Sequence, residues 1–258
     1  DSWEKLFYSI FHSVSAFNNA GFSLFSNGLY EQGVQSAFGL HFVIAMMIIF
    51  GGLGFPVLKD VFQARLVGDK KNWRWRTFSV NTKLVLLTTG ILIVLGTLVF
   101  WFTEQNNTLK GQSFGASWMH AFFQSVTTRT AGFNTVDFSA LGPGVLIFFT
   151  LLMYIGASPG STGGGMKTST FALLILSAYS TIRGKKHVEV WKKTISFEQI
   201  NKAFSIFLFS AGAVFIGVFA LTLTEPSIPT MQLVFEEISA FATVGLSTGI
   251  TADLSPAG

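Results

Sequence analysis

Apolar runs of bilayer length constrain this chain more than any other feature. A helix needs about 20 apolar residues to cross a bilayer, and such runs lie at roughly 36–58, 80–102, 143–181 and 200–222. Half of the 258 residues are hydrophobic and 12% are charged, a balance that is unusual for a water-soluble domain. The sequence therefore predicts an all-α transmembrane fold with four crossings.

Basic residues cluster in two of the segments between these runs. Thirteen of the 17 Lys and Arg residues lie at 59–83 or 183–202. The positive-inside rule assigns such segments to the cytoplasm, which places the segments with Glu104 and Glu225 outside. The net charge of +4 is thus explained by membrane topology, and it does not require a nucleic acid partner.

Three shorter stretches, about 4–25, 114–135 and 230–249, do not fit as crossings. Each combines an apolar helical half with a polar half that contains glycine, and each begins and ends on the predicted outer side. Non-helical backbone at membrane depth is tolerated where it is buried in protein or lines a water-filled path. We interpret these stretches as re-entrant pore loops, each a short inward helix followed by an extended strand that runs back out.

The three loops align with one another without gaps. Their central glycines, Gly21, Gly132 and Gly245, are 111 and 113 residues apart. Between successive loops lie one helix, a basic segment and a second helix, so the repeated unit is helix, pore loop, helix. The units divide the chain into three stretches: 1–75, 76–193 and 194–258.

Backbone carbonyls are the expected ion ligands in these loops. A ladder of carbonyls replaces the hydration shell of a potassium ion, and turning consecutive carbonyls toward one axis requires a residue that tolerates positive φ. The stretches 130–133 and 243–246 compare with the Thr-Val-Gly-Tyr part of a potassium-channel filter. The predicted ion-binding residues are the four around each glycine: Asn19, Ala20, Gly21, Phe22, Thr130, Ala131, Gly132, Phe133, Thr243, Val244, Gly245 and Leu246.

A glycine-rich segment interrupts the apolar run at 143–181. Gly and Pro both disfavour a helix, so the helix is expected to break there and the segment to project into the path below the filter. The predicted gating-loop residues are Gly156, Ser158, Pro159, Gly160, Ser161, Thr162, Gly163, Gly164, Gly165, Lys167 and Thr168.

Two other interpretations of this segment stay open. One is a passive kink. The other is a phosphate-binding loop, because glycines precede Lys167 and Thr168. The Walker pattern, however, requires its second glycine directly before the lysine, and Met166 intervenes.

Arg129 immediately precedes a predicted filter strand, where an unpaired cation repels potassium and is costly to bury. We predict that it pairs with Glu236 or Glu237 on a neighbouring pore helix, and that these three residues support the filter. The alternative is an arginine that reaches water at the rim of the pore.

The loops, their spacing and the sequence from Tyr154 to Thr168 resemble the Trk/Ktr/HKT superfamily of cation transporters, most closely the membrane subunits of Ktr systems. The resemblance covers essentially the whole chain, from the second to the fourth pore loop, and implies that a first repeat and a last inner helix lie outside it. It implies four helix–pore-loop–helix repeats around one potassium-channel-like pore. Each loop keeps one glycine where the channel motif has two, which implies a less regular filter.

The same resemblance implies how such a pore works. It implies a homodimer in the bacterial plasma membrane, with filter loops facing outside and a cytosolic nucleotide-binding regulatory subunit of the KtrA type. Potassium is the implied transported ion and sodium a candidate activator, with no bound cofactor. Lys167 is expected to oppose cation passage when the gating loop is closed.

Other functional classes find little support in the sequence. The chain has no cysteine, and its acidic residues fall mostly in loops, so no catalytic cluster typical of an enzyme is visible. The four histidines lie in separate segments without metal-ligand spacing: His12, His41, His120 and His187. The rival interpretation is a multipass secondary carrier with broken helices, which has no need of pore loops repeated on one side.

Overall fold

The computed structural model describes residues 2–66, 75–185, 187–256 and 258. Within these ranges the chain consists of α-helices joined by turns and one short hairpin, in which β1 (Glu189–Val190) pairs antiparallel with β2 (Lys193–Thr194). The helices are α1 (Ser2–Phe17), α2 (Phe38–Leu53), α3 (Phe55–Leu66), α4 (Val80–Glu104), α5 (Phe114–Thr127), α6 (Pro143–Tyr154), α7 (Thr168–Ile182), α8 (Phe197–Thr224) and α9 (Thr230–Phe241).

Two helices of the described part are long and apolar enough to cross a membrane unaided. They are α4, with 25 residues, and α8, with 28. The pair α2 and α3 is apolar enough for a third span but bends by 96° between the two helices. The crossing predicted at 36–58 is therefore not one straight helix. The bend falls at Gly54, whose φ of 81° ends the α-helix and whose missing Cβ leaves room for the backbone at Gly160.

The predicted break in the run at 143–181 is present. Here α6 and α7 are separated by the non-helical residues 155–167. The Met166 amide donates to the Tyr154 carbonyl over 3.1 Å, and Ile155 and Met166 form an isolated parallel bridge. The two ends of the segment are thereby held together, and the residues between them form a compact loop.

The three predicted re-entrant loops each begin with a short helix: α1, α5 or α9. Helix α1 packs against α2, α5 against α2 and α4, and α9 against α6 and α8. A non-helical strand follows each of them. The predicted repeat of helix, pore loop and helix is thus the organising unit of the molecule.

Apolar side chains fix the pore helices behind these strands. One cluster includes Phe100, Phe149 and Phe235, and a second includes Phe123 and Phe133. All five rings are almost completely buried. They hold α5 against α2 and α4, and α9 against α6 and α8, and so position the strands that leave their C-terminal ends.

Candidate functional site

The strands that follow the three pore helices meet, so that Gly21, Gly132 and Gly245 lie close together. A Cβ atom added at Gly21 would collide with the Ala131 carbonyl oxygen, and one added at Gly132 with the Val244 carbonyl oxygen. A Cβ added at Gly245 would meet only the Gly132 Cα atom, at 3.9 Å. The φ angles are 73°, 78° and 85°, which glycine adopts without steric cost. At two of the three positions only glycine leaves enough room.

Each strand also contains a left-handed residue two positions before its glycine. Asn19, Thr130 and Thr243 have φ angles of 52°, 70° and 55°. This region is uncommon for any side chain and an outlier for a β-branched one such as threonine, and it costs about 1–3 kcal/mol per residue. Sequence reasoning missed this feature, because it expected positive φ at the glycines alone.

Alternating backbone handedness has a direct electrostatic consequence. It lines up successive amide groups on one side of a strand and successive carbonyls on the other. The amide between the two left-handed residues donates to the pore helix in every repeat: Ala20 to the Ser15 carbonyl at 2.9 Å, Ala131 to Thr127 at 3.0 Å and Val244 to Ser239 at 2.8 Å. The carbonyls of Ala131 and Val244 lie instead against Gly21 and Gly132 of the adjacent strand. Two of the strands therefore turn a carbonyl toward the adjacent strand, and backbone carbonyls are the ligands that suit a dehydrated cation.

The carbonyl that follows each glycine is engaged elsewhere. A pore-helix hydroxyl donates to it in all three repeats: Ser15 to Phe22 at 2.8 Å, Thr127 to Phe133 at 2.6 Å and Ser239 to Leu246 at 2.6 Å. This arrangement corrects the expectation that all four carbonyls of each predicted stretch face the ion. The carbonyls of Phe22, Phe133 and Leu246 are turned toward the helix, because a hydroxyl is available there.

A cavity of about 490 Å³ adjoins one end of the strands. Gly132 and Gly245 line it, together with Asn134, Asp137 and Ser247. Its polar lining and the Asp137 carboxylate make it a suitable vestibule for a hydrated cation before dehydration in the narrow part.

The glycine-rich loop meets the opposite end of the strands. The Thr162 hydroxyl lies 3.1 Å from Asn19 Oδ1. A Cβ added at Gly163 would collide with the Thr130 hydroxyl, and one added at Gly164 with the Thr243 hydroxyl. Three consecutive loop residues thus meet the three left-handed residues, one in each strand. The predicted position of the loop, directly below the filter, agrees with these contacts.

The loop is held in place by backbone hydrogen bonds. The Ser158 amide donates to the Gly52 carbonyl over 3.0 Å, and the Thr168 amide to the Ala157 carbonyl over 3.1 Å. Lys167 Nζ donates to the loop's own Gly163 carbonyl over 2.6 Å. Since the lysine is already bonded within the loop, the arrangement does not favour the phosphate-binding alternative. It places the lysine charge one contact away from the filter.

Arg129 does not form the predicted ion pair. Its side chain is 6% exposed, and its guanidinium donates to the carbonyls of Thr89 at 3.3 Å and Gly156 at 3.4 Å. The prediction of pairing with Glu236 or Glu237 was wrong, because the two glutamates face other parts of the molecule.

The two glutamates of α9 point in different directions, since successive helix residues are about 100° apart. Glu236 Oε1 accepts from the Thr248 amide at 2.8 Å and from the Ser247 hydroxyl at 2.9 Å, so it binds its own strand. Glu237 lies against α8, where a Cβ added at Gly217 would collide with its carboxylate. Glu236 remains a candidate for filter support, through contacts that differ from those predicted.

The family of this chain follows from a comparison with known protein families. A family model described as TrkH, cation transport protein, matches residues 1–258. This chain belongs to the TrkH family of cation transport proteins. The relationship predicted from the pore loops and the glycine-rich segment is thereby confirmed, as is the all-α fold of repeated pore-loop units.

Several curated relatives are similar over nearly the whole chain. It is 41% identical to Ktr system potassium uptake protein B of Vibrio alginolyticus, over 99% of this chain and 55% of that protein. It is 42% identical to the protein of the same name in Bacillus subtilis (strain 168), over 98% of this chain and 55% of that protein. It is 35% identical to the potassium/sodium uptake protein NtpJ of Enterococcus hirae, over 98% of this chain and 55% of that protein. The chain thus spans about half the length of these relatives.

A solved structure supports the fold. The crystal structure of the potassium transporter TrkH from Vibrio parahaemolyticus matches with a TM-score of 0.69, over 97% of this chain and 58% of that one, at 17% sequence identity. At this identity the likeness concerns the fold alone.

Proposed function

We propose that this chain forms the greater part of a pore that admits potassium ions into a bacterial cell across the plasma membrane. The observation that carries the proposal is the set of carbonyls described above. The carbonyls of Ala131 and Val244 lie against the adjacent strand, while the amides of all three strands bond to the pore helices. A dehydrated potassium ion needs oxygen ligands of this kind, and no transport substrate larger than a bare ion fits between backbones in near contact.

The proposed ion ligands are the carbonyls of the residues up to and including each glycine. They belong to three stretches: 19–21, 130–132 and 243–245. The membrane potential drives the cation inward with about 2.3 kcal/mol per charge per 100 mV. The relatives named as potassium uptake proteins support this choice of ion, and the name potassium/sodium uptake protein supports a link to sodium.

We infer that the loop 156–168 gates this path. It lies against the narrow end of all three strands, and Lys167 brings a positive charge to that point. A cation leaving the filter would have to displace the loop or pass the charge. The passive-kink alternative assigns these contacts to packing alone.

We infer that a fourth unit completes the ring next to the first repeat. Phe133 is buried against the first repeat and Leu246 against the second, at 1% and 3% exposure. The equivalent residue Phe22 is 70% exposed. A further repeat, as the family resemblance implies, would cover Phe22 in the same way.

The cytoplasmic partners belong to the same proposal. A Ktr system, in the names of two relatives, supports a separate regulatory subunit, and we propose a homodimer bound to a nucleotide-binding subunit of the KtrA type. Its expected docking surfaces are the basic segments 59–83 and 183–202. Residues 67–74 and 186 of these segments lie outside the described residues.

The test is potassium uptake by cells that lack their own uptake systems and express the protein at full length. Gly132→Ser, which forces a side chain onto the Val244 carbonyl, is expected to abolish high-affinity uptake. Gly245→Ala, which has room but a φ of 85°, is expected to lose roughly tenfold in affinity or selectivity, because the left-handed region costs a side chain about 1–2 kcal/mol.

Gly90→Ser is the matched control, because a Cβ there meets no atom within 4 Å. If the filter variants are made in normal amounts and transport potassium like the control, the filter is not the conduction path. A multipass carrier with broken helices then becomes the better interpretation.

A further inference from the structure

Each filter strand is fastened to its own pore helix at two points, and this repetition carries an inference that rests on the proposed function. At the first point a pore-helix hydroxyl donates to the carbonyl of the residue that follows the glycine. We call this hydroxyl the first clamp. The second point lies two or three residues beyond the glycine, and we call it the second clamp. A different residue type makes the second clamp in each repeat.

In the first repeat the second clamp is His12, which is 4% exposed. The Leu24 amide lies 3.4 Å from Nε2 and the Ser23 hydroxyl 3.1 Å from it. Since an amide can only donate, Nε2 accepts and carries no proton. The proton is then on Nδ1, which donates to the Tyr8 carbonyl at 2.8 Å. This histidine is a bridge between its helix and its strand.

In the second repeat an amide bonds the strand through a side-chain hydroxyl, which also lies 2.9 Å from His120 Nδ1, and in the third a carboxylate bonds both a hydroxyl and a backbone amide. Gln124, which is fully buried, donates from Nε2 to the Thr135 hydroxyl over 3.0 Å. Glu236 accepts from the Thr248 amide at 2.8 Å and from the Thr248 hydroxyl at 3.0 Å. Leu24, Thr135 and Thr248 each lie three residues after the filter glycine, so the clamped position is the same in all repeats.

The two clamps of a repeat are always three residues apart on the pore helix. The pairs are His12 with Ser15, Gln124 with Thr127, and Glu236 with Ser239. Residues at this spacing lie on one face of a helix. The second repeat is shifted by one residue relative to the glycine, and both of its clamps shift together. A coincidence of packing would not preserve the spacing while the register changes.

We propose that these six side chains are positioning residues that set the ion selectivity of the filter. They fix the peptide after each glycine on the helix side, and this fixes the orientation of the preceding carbonyls that face the ion. Without a clamp, that peptide rotates and the carbonyl spacing adapts to a smaller cation. Sodium then competes better with potassium, while the maximal rate of uptake changes less.

The first test compares two buried hydroxyls of α5 that donate to different targets. Thr127→Val removes the first clamp and keeps the side-chain shape, whereas Ser125→Ala removes an equally buried hydroxyl that donates to the Ile93 carbonyl of α4 over 2.8 Å. A buried hydrogen bond shifts a two-state equilibrium roughly two- to tenfold. Sodium inhibition of potassium uptake is therefore expected to strengthen by that factor in Thr127→Val and to stay unchanged in Ser125→Ala.

A variant that restores the hydroxyl distinguishes a positioning role of Thr127 from a general effect on protein stability. Thr127→Ser restores the hydroxyl and is expected to restore the wild-type potassium-to-sodium ratio, and Glu236→Gln, which weakens the acceptor, is expected to lower that ratio. Membrane abundance is measured for every variant. If Thr127→Val does not accumulate, Ser239→Ala makes the same comparison in the third repeat.

Equal selectivity in the clamp variants and in Ser125→Ala, at equal abundance, would overturn the proposal. This result can be distinguished from a failure of the proposed function. If the proposed function fails, the wild-type protein takes up no potassium, or Gly132→Ser leaves uptake unchanged. If wild type and Gly132→Ser behave as proposed and only the clamp variants do not, the filter stands and the clamps are ordinary packing.

Discussion

Arg129 brings a positive charge to within one residue of a filter strand, and its surroundings explain how this is tolerated. The guanidinium donates to carbonyls on two different elements, Thr89 of α4 and Gly156 at the start of the glycine-rich loop. Carbonyl dipoles offset the charge without a neighbouring anion. Arg129 therefore joins the filter strand, the surrounding wall and the loop at one point.

The corrected partners of Arg129 give a thermodynamic prediction. Arg129→Gln is expected to lower the free energy of unfolding by about 1–3 kcal/mol, because two buried carbonyls lose a charged donor. Its effect should add to that of Glu237→Gln within about 0.5 kcal/mol, because the two residues share no contact. Thermal unfolding of the two single variants and the double variant, purified in detergent, measures this. Coupling of several kcal/mol is the signature of a buried ion pair and would contradict the geometry.

At the scale of elements, the glycine-rich loop and the filter form one contact surface. Thr162, Gly163 and Gly164 each meet a different strand. The loop is also fastened to the bend between α2 and α3, where the Phe55 amide donates to the Gly160 carbonyl over 3.2 Å. The bend, the loop and the strands are therefore joined by direct contacts.

This contact predicts the result of shortening the loop. Deletion of Gly163 and Gly164 removes the contacts with Thr130 and Thr243, so potassium flux is expected to rise several-fold or to lose its regulation. The measurement is initial uptake rate per amount of protein in the membrane. Gly144→Ser in α6, where an added side chain has open space, is the control. Unchanged flux in the shortened protein would leave the loop as a passive kink.

At the scale of the whole molecule, α8 exposes a large apolar surface that the described residues do not cover. Of its 28 residues only Ala203 is buried. Large side chains such as Phe209, Phe215 and Leu223 are more than two-thirds exposed. An apolar helix with so few buried residues belongs in lipid or against further protein. Both environments agree with a membrane protein.

The orientation of the molecule can be tested because the chain has no cysteine. Cysteines introduced at Asn106 and Lys185 lie at opposite ends of the helices, in segments assigned outside and inside. A membrane-impermeant thiol reagent added to intact cells is expected to label Asn106→Cys only, and Lys185→Cys only after permeabilisation. Labelling in the reverse order would invert the topology and place the filter loops in the cytoplasm.

The sequence by itself determined the features that depend on local composition and repetition. Apolar length predicted the membrane helices, glycine and proline predicted the break at 156–168, and the spacing of Gly21, Gly132 and Gly245 predicted three equivalent loops. These signals are readable because each is set by the chemistry of neighbouring residues. They were enough to predict the fold class and the family.

Only the tertiary structure decided which groups meet. The partners of Arg129 and the left-handed backbone of Thr130 and Thr243 depend on contacts between distant segments, and no local pattern marks them. The bend at Gly54 does have a local signal, in Gly51, Gly52, Gly54 and Pro56, but the prediction of a crossing at 36–58 did not use it. The clamps were hidden for a further reason. Their register shifts by one residue in the second repeat, so a gap-free alignment pairs residues that do different work, and hydrogen-bond geometry alone restores the equivalence.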